Sequence, residues 1–122
     1  MRPVVKAGLL LLVILTAAGC GGGVSAVAVP NGHADRAPAL IRAYGCGSCH
    51  TISGVDGADG RIGPRLSGLA GKENIAGRLD NTPDNLVRWI TEPQQVDPGN
   101  LMPDLGVSDE AARDIAAYLY EH

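Results

Sequence analysis

Five consecutive residues, Cys46-Gly47-Ser48-Cys49-His50, constrain this chain more than any other feature it carries. Two cysteines separated by two residues and followed at once by histidine form the signature for covalent attachment of a haem. Each position has a chemical task. The two thiols add across the two vinyl groups of one haem, and the adjacent imidazole is delivered to the iron from the same side. Gly47 and Ser48 are small, as a backbone lying against the ring edge requires. The same cysteines could form a structural disulfide or a thioredoxin-like redox pair, but neither use needs the histidine, and the second needs a βαβ setting that is missing here. A zinc site would need a second pair of ligands, and the remaining cysteine, Cys20, stands in a different kind of segment.

The chain opens as a targeting segment. Arg2 and Lys6 form a basic start, Leu9 to Leu15 is continuously apolar, and small residues follow, so residues 1–19 read as a signal peptide. The apolar stretch from Ala7 to Ala18 is 12 residues, short of the roughly 20 needed to span a bilayer as a helix. Ala17-Ala18-Gly19-Cys20 resembles a bacterial lipobox, which makes Cys20 the expected site of lipidation. The alternative is an ordinary signal peptide cut nearby, with Cys20 left as an odd free thiol. The expected location is the periplasmic side of a bacterial membrane, reached by export and held by lipid. Residues 20–33 have three glycines at their head and no charge before His33, so they read as a flexible tether, with a short strand in residues 24–29 as the alternative.

Residues 34–122 are enough for one small domain. The whole chain has three Tyr, one Trp and no Phe, a poor stock from which to build a core of this size. A covalently held, largely apolar cofactor would fill that deficit. The chain carries 10 basic and 13 acidic residues, and removal of a leader containing Arg2 and Lys6 takes the net charge to about −5. Such a surface argues against nucleic acid as a partner. No small-molecule substrate is expected.

Three helices can be placed. Ala37, Leu40, Ile41 and Tyr44 fall at helical spacing and lead into the cysteine motif. A second helix has Thr82 as N-cap, Pro83 in the first position and Asp84 against the dipole; it presents Leu86, Trp89 and Ile90 and stops before Pro93. The last has Ser108 as N-cap, with Ala112, Ile115, Ala116 and Leu119 on its buried face. No segment alternates as a strand. The expected class is all-α, with glycine-rich loops over residues 53–71 and 94–106.

The second axial ligand decides what a bound haem can do. Once a leader is removed, Met102 is the remaining methionine; it lies in Pro98-Gly99-Asn100-Leu101-Met102-Pro103, a loop stiffened by prolines on both sides. A methionine filling a gap in a core is the plainer use of such a residue. The rival ligands, His33 and His122, stand in the tether and at the last position. His/Met ligation fills both axial positions and raises the reduction potential, which suits electron transfer better than oxygen or peroxide chemistry.

Taken together, the cysteine motif, Gly63-Pro64-Arg65-Leu66-Ser67-Gly68-Leu69, Pro93 and the Met102 loop resemble a class I, monohaem cytochrome c. The run Asn81-Thr82-Pro83-Asp84-Asn85-Leu86-Val87-Arg88-Trp89-Ile90, with Pro93-Gln94 and Ala117-Tyr118-Leu119, is similar to the cytochrome domain fused to subunit II of some haem-copper oxidases. The resemblance implies an all-α fold around one haem c and single-electron transfer. It makes Cys46 and Cys49 the thioether cysteines, His50 the proximal ligand and Met102 the distal one. It also makes Pro64 the carbonyl partner of the His50 ring, Trp89 an aromatic beside the haem, and Asn100 a contact for a propionate, with Arg78 and Asn81 as weaker candidates. At the usual glycine and aromatic positions of the first helix the chain has Ala37 and Ile41, and Asp97 stands where the oxidase relatives often carry lysine. No copper-binding domain precedes the motif, so the expected form is a free-standing relative of that subunit's tail. The reading is a periplasmic electron carrier serving respiratory redox partners and no enzyme in itself. Its alternatives are a fixed electron-entry or electron-exit subunit of an oxidase or dehydrogenase and, in a third class, a haem enzyme or gas sensor.

Overall fold

The computed structural model describes residues 26–122. The expected signal peptide, the expected lipidation site Cys20 and the glycines that follow it lie outside those residues. Helix α1 spans Ala37–Ala43 and is entered through a single 3-10 turn at Ala34–Arg36. Gly45, at φ 72°, ends it in the left-handed region that glycine adopts without a steric cost, and the chain turns at once into a 3-10 turn over Cys46–Ser48. A long irregular stretch follows, pinned by a bridge between Thr51 and Asp59. Strands β1, Asn74–Ile75, and β2, Leu79–Asp80, then pair antiparallel. Helices α2, Pro83–Thr91, α3, Pro93–Val96, and α4, Asp109–Glu121, complete the described chain.

Both expected N-caps form. The Thr82 hydroxyl accepts from the Asn85 N–H at 3.3 Å, and the Ser108 hydroxyl accepts from the Ala111 N–H at 3.2 Å, each satisfying a donor that the first turn leaves orphaned. The all-α reading holds apart from the two-residue hairpin. Its turn places Ala76 at φ 52° and Gly77 at φ 66°, a conformation that fits the twist of paired strands. Two residues cannot display an alternating pattern, so the hairpin had no signal in the sequence. The short α3 lies inside the expected loop over residues 94–106, started by Pro93, which suits a first helical position.

Helix α4 is the centre of the core, packed by α1 and α2. It buries more than the expected face of Ala112, Ile115, Ala116 and Leu119: Ala111, Asp114, Ala117, Tyr118 and Tyr120 are buried as well. Part of that burial, at Asp114 and Ala117, comes from residues expected to form free tether. Val29 is buried and Val27 packs against the core. A Cβ on Gly32 would stand 2.6 Å from the Arg113 carbonyl oxygen, and the His33 N–H donates to Asp114 Oδ1 at 2.7 Å. Residues 27–33, expected as part of a free tether, thus form a strap across α4. Ala37 and Ile41 are completely buried in α1, where their modest size lets it lie close to the alanine-rich α4. The Tyr118 hydroxyl donates to the Ser53 carbonyl at 2.7 Å while its ring stacks on His122 at 4.0 Å, so this ring ties the 53–54 loop and the last residue to α4.

Candidate functional site

Cys46, Cys49 and His50 are brought together by the turn that follows α1. The N–H groups of Cys49 and His50 both donate to the Cys46 carbonyl, at 3.2 and 3.0 Å, which winds the motif into one tight turn. Both thiols are free and half-buried. Burial pushes the Cys46 thiol above its ordinary range, and the neighbouring Cys49 adds to the effect against an opposing backbone hydrogen bond. Among the described residues no cluster of three or more histidine, cysteine, aspartate or glutamate side chains could hold a metal ion, so the zinc reading gains no second ligand pair.

The His50 ring is fixed by Pro64, whose carbonyl oxygen lies 2.7 Å from Nδ1. A carbonyl can only accept, so the proton sits on Nδ1 and the lone pair is left on Nε2. This is the tautomer that an iron ligand needs, with the second bond setting ring orientation and basicity. Gly63 closes the other side: a Cβ there would stand 2.4 Å from His50 Cε1, and the Gly63 N–H donates to the Cys49 carbonyl at 2.8 Å. Gly60 and Gly47 play the same part for the turn itself. A Cβ on Gly60 would stand 2.5 Å from the Ser48 carbonyl carbon, and one on Gly47 would stand 2.7 Å from Ala58 Cα. The protein thus excludes a side chain at Gly47 through its own 57–60 loop, a reason additional to the ring edge expected from the motif.

Met102 is half-buried and held by side-chain amides on both sides of its peptide. Its N–H donates to Asn100 Oδ1 at 2.7 Å, and its carbonyl accepts from Gln94 Nε2 at 2.8 Å. Both hydrogens of the Asn100 amide go to protein carbonyls, Pro93 at 2.9 Å and Asp97 at 2.7 Å. In this structure both Asn100 donors therefore shape the loop. Asn81 is likewise committed, donating to the Leu69 and Lys72 carbonyls at 2.8 Å each and accepting from the Tyr120 hydroxyl at 2.7 Å. Arg78 pairs with Asp97 at 3.1 Å. Trp89 is half-buried against the core rather than fully inside it, and the buried side of α2 is Leu86, Val87 and Ile90. The two rival histidines are exposed.

These residues fit a covalently bound haem. A free thiol pair in one turn, an imidazole with its outer nitrogen occupied, and glycines that leave no room beside that ring make up the donor set the group requires. Leu66, Leu69, Leu79 and Trp89 supply half-buried apolar surface. Sequence reasoning missed Gln94, Gly60 and Gly63 as parts of the site. The glycines sat in plain view, but only the approach of a distant backbone gives them their task, and Gln94 carried no local signal beyond its place after Pro93.

A sequence profile described as Cytochrome c matches residues 34–122. The chain is similar to cytochrome c oxidase subunit 2 of Alkalihalophilus pseudofirmus, 37% identical over 75 residues that cover 61% of this chain and 21% of that protein. It is similar to cytochrome c oxidase subunit 2 of a Bacillus species, 37% identical over 59 residues, 47% of this chain and 17% of that protein. Similarity to a cytochrome c homolog of Bradyrhizobium diazoefficiens is 32% over 88 residues, 61% of this chain and 47% of that protein. The chain thus spans about a fifth of the oxidase subunits it matches and about half of the cytochrome c homolog.

Proposed function

This chain belongs to the cytochrome c family, and from that premise we propose that it is a lipid-tethered carrier of single electrons in a periplasmic respiratory chain, with His50 and Met102 as axial ligands. Its haem c is covalently attached, and electron transfer is what the family's fold performs. Bound haem supplies a one-electron couple between ferric and ferrous iron. Cys46 and Cys49 would hold the ring, His50 would offer Nε2 to the iron, and the Met102 thioether would be its second protein ligand. Ligation by both residues would leave no site for oxygen or peroxide, and a Met/His pair favours a high potential.

The observation that carries this reading is the 2.7 Å contact between His50 Nδ1 and the Pro64 carbonyl, which commits the ring to one tautomer and one direction. A fixed ligand suits a site that changes charge by one electron without rearranging. The apolar Leu101, 86% exposed beside Met102, is suited to a brief contact with a redox partner. Six residues, 21–26, separate Cys20 from the strap, which limits the reach to about 20 Å at 3.3–3.6 Å per residue. Acyl chains on Cys20 would thus hold the domain close to the membrane surface. Among the described residues no helix is long and apolar enough to cross a membrane.

Two measurements test the proposal. A redox titration of the purified protein should follow a one-electron curve, and the ferrous protein should refuse carbon monoxide while Met102→Ala accepts it; ready binding by the unaltered protein would overturn His/Met ligation. Cys20→Ser should move a still red protein from the membrane to the soluble fraction, and an unaltered protein already soluble would overturn the anchor. A second reading, a fixed haem subunit of a terminal oxidase, is favoured by the 37% identity to the two oxidase subunits. Stoichiometric co-purification with an oxidase from membranes would establish it over the free carrier.

A further inference from the structure

The stretch after Asn100 has neither helix nor strand before α4 begins at Asp109. Little apolar packing holds its first part, around Met102: Leu101 is 86% exposed and Leu105 41%, and the buried Val107 anchors the chain only further on. What does hold it is polar and comes largely from one side chain. Gln94 sits in α3 directly after Pro93, which is fully buried and gives it an immobile base. Its two amide hydrogens go to the Asn100 carbonyl at 2.9 Å and the Met102 carbonyl at 2.8 Å. Its oxygen accepts from the Gly99 N–H at 3.1 Å, at the position where the chain turns through φ 83°. One amide therefore fastens three of the four residues from Gly99 to Met102, and Asn100 fastens the Met102 N–H from the opposite side.

We infer that Gln94 is a positioning residue for Met102: its amide clamps the loop so that the thioether stays where the second axial ligand is needed. This rests on the reading of Met102 as that ligand. The chemistry of the clamp is specific to an amide. A carboxylate of the same shape could still accept from Gly99, but it would face the Asn100 and Met102 carbonyls with no hydrogen to give, and leucine would offer nothing to any of the three. Unclamped, the loop samples positions in which the sulfur is displaced, and a competing ligand then meets a weaker rival. Two lost hydrogen bonds correspond to roughly a ten- to hundredfold change in such an equilibrium.

The test uses the haem-bound protein with Gln94→Glu, Gln94→Leu, the neighbouring exposed Gln95→Glu as control, and Met102→Ala. The readouts are the sulfur-to-iron charge-transfer absorption of the ferric state, the affinity for added imidazole, and the thermal midpoint. Both Gln94 variants should weaken the absorption and bind imidazole about ten- to a hundredfold more tightly, with Gln95→Glu matching the unaltered protein. Gln94→Glu keeps the side-chain shape, so it reports on the clamp even if the leucine variant folds poorly. A lower midpoint with absorption and imidazole affinity unchanged would show that Gln94 merely supports the fold, and would overturn the inference. If Met102→Ala retains the absorption, the ligand reading itself fails and takes this one with it. If Met102→Ala loses the absorption while both Gln94 variants keep it, only the clamp is overturned.

Discussion

Replacing Gly60 with alanine puts the packing of the motif turn to a quantitative test. The added Cβ would stand 2.5 Å from both the carbonyl carbon and oxygen of Ser48 and 2.6 Å from the carbonyl carbon of Cys49. The obstacle is backbone and cannot rotate away. Nor can that peptide retreat, since Ser48 N–H is bonded to the Gly45 carbonyl at 3.0 Å and the Cys49 carbonyl accepts from Gly63 at 2.8 Å. The 58–61 loop must move instead, at the expense of the Gly60 N–H bond to the Gly47 carbonyl and the Thr51 hydroxyl bond to the Gly60 carbonyl, both 3.0 Å. Overpacking costs about 1–3 kcal/mol and each weakened bond about 0.5–1.5 kcal/mol. Against this stands a gain of about 0.4–1 kcal/mol from a less flexible unfolded chain. A net loss of about 3 kcal/mol, the middle of that range, follows, and at 4–8 °C per kcal/mol the melting midpoint should fall by roughly 12–24 °C. Thermal unfolding of the haem-bound protein, followed by circular dichroism, measures it. Gly71→Ala is the comparison, because nothing lies within 4 Å of its added Cβ; it should match or slightly exceed the unaltered protein. A Gly60→Ala midpoint equal to that of Gly71→Ala would refute the argument that this close approach requires glycine.

Burial raises the Tyr120 hydroxyl above its ordinary value of 10.0. Its contribution to stability is therefore complete below that value and is lost as pH rises through the raised one. Denaturant titrations should show Tyr120→Phe about 0.5–1.5 kcal/mol less stable at neutral pH, from the lost bond to Asn81, with the gap narrowing above pH 10; a constant gap would contradict the linkage. Of the two acids flanking the Met102 loop, Asp97 is partly neutralised by Arg78 at 3.1 Å while Asp104 has no ion pair among the described residues. In stopped-flow oxidation by a basic redox protein, Asp104→Asn should slow the reaction more than Asp97→Asn. The difference should fade as salt shortens the screening length to about 10 Å at 0.1 M, and equal rates at all ionic strengths would show that neither acid steers.

Local chemistry could be read directly along the chain. The spacing of Cys46, Cys49 and His50 demands one cofactor whatever surrounds it, and Thr82 and Ser108 announce their helices because a cap acts on donors two or three residues away. A shortage of aromatics announces that something else fills the core. Tasks that depend on atoms distant in the chain emerged once the helices were packed. Val27 and Val29 read as tether until Asp114, 81 positions beyond His33, accepts the His33 N–H inside the fold. Asn100 turns inward because the Pro93 and Asp97 carbonyls lie within reach of its amide. Gly60 looks like any loop glycine, and its necessity comes from the Ser48–Cys49 peptide against which it is pressed. A pattern along the chain records periodicity and capping. It does not record which backbone groups will be left needing a partner once the helices have packed, and it is those groups that gave Gln94 and Asn100 their places around Met102.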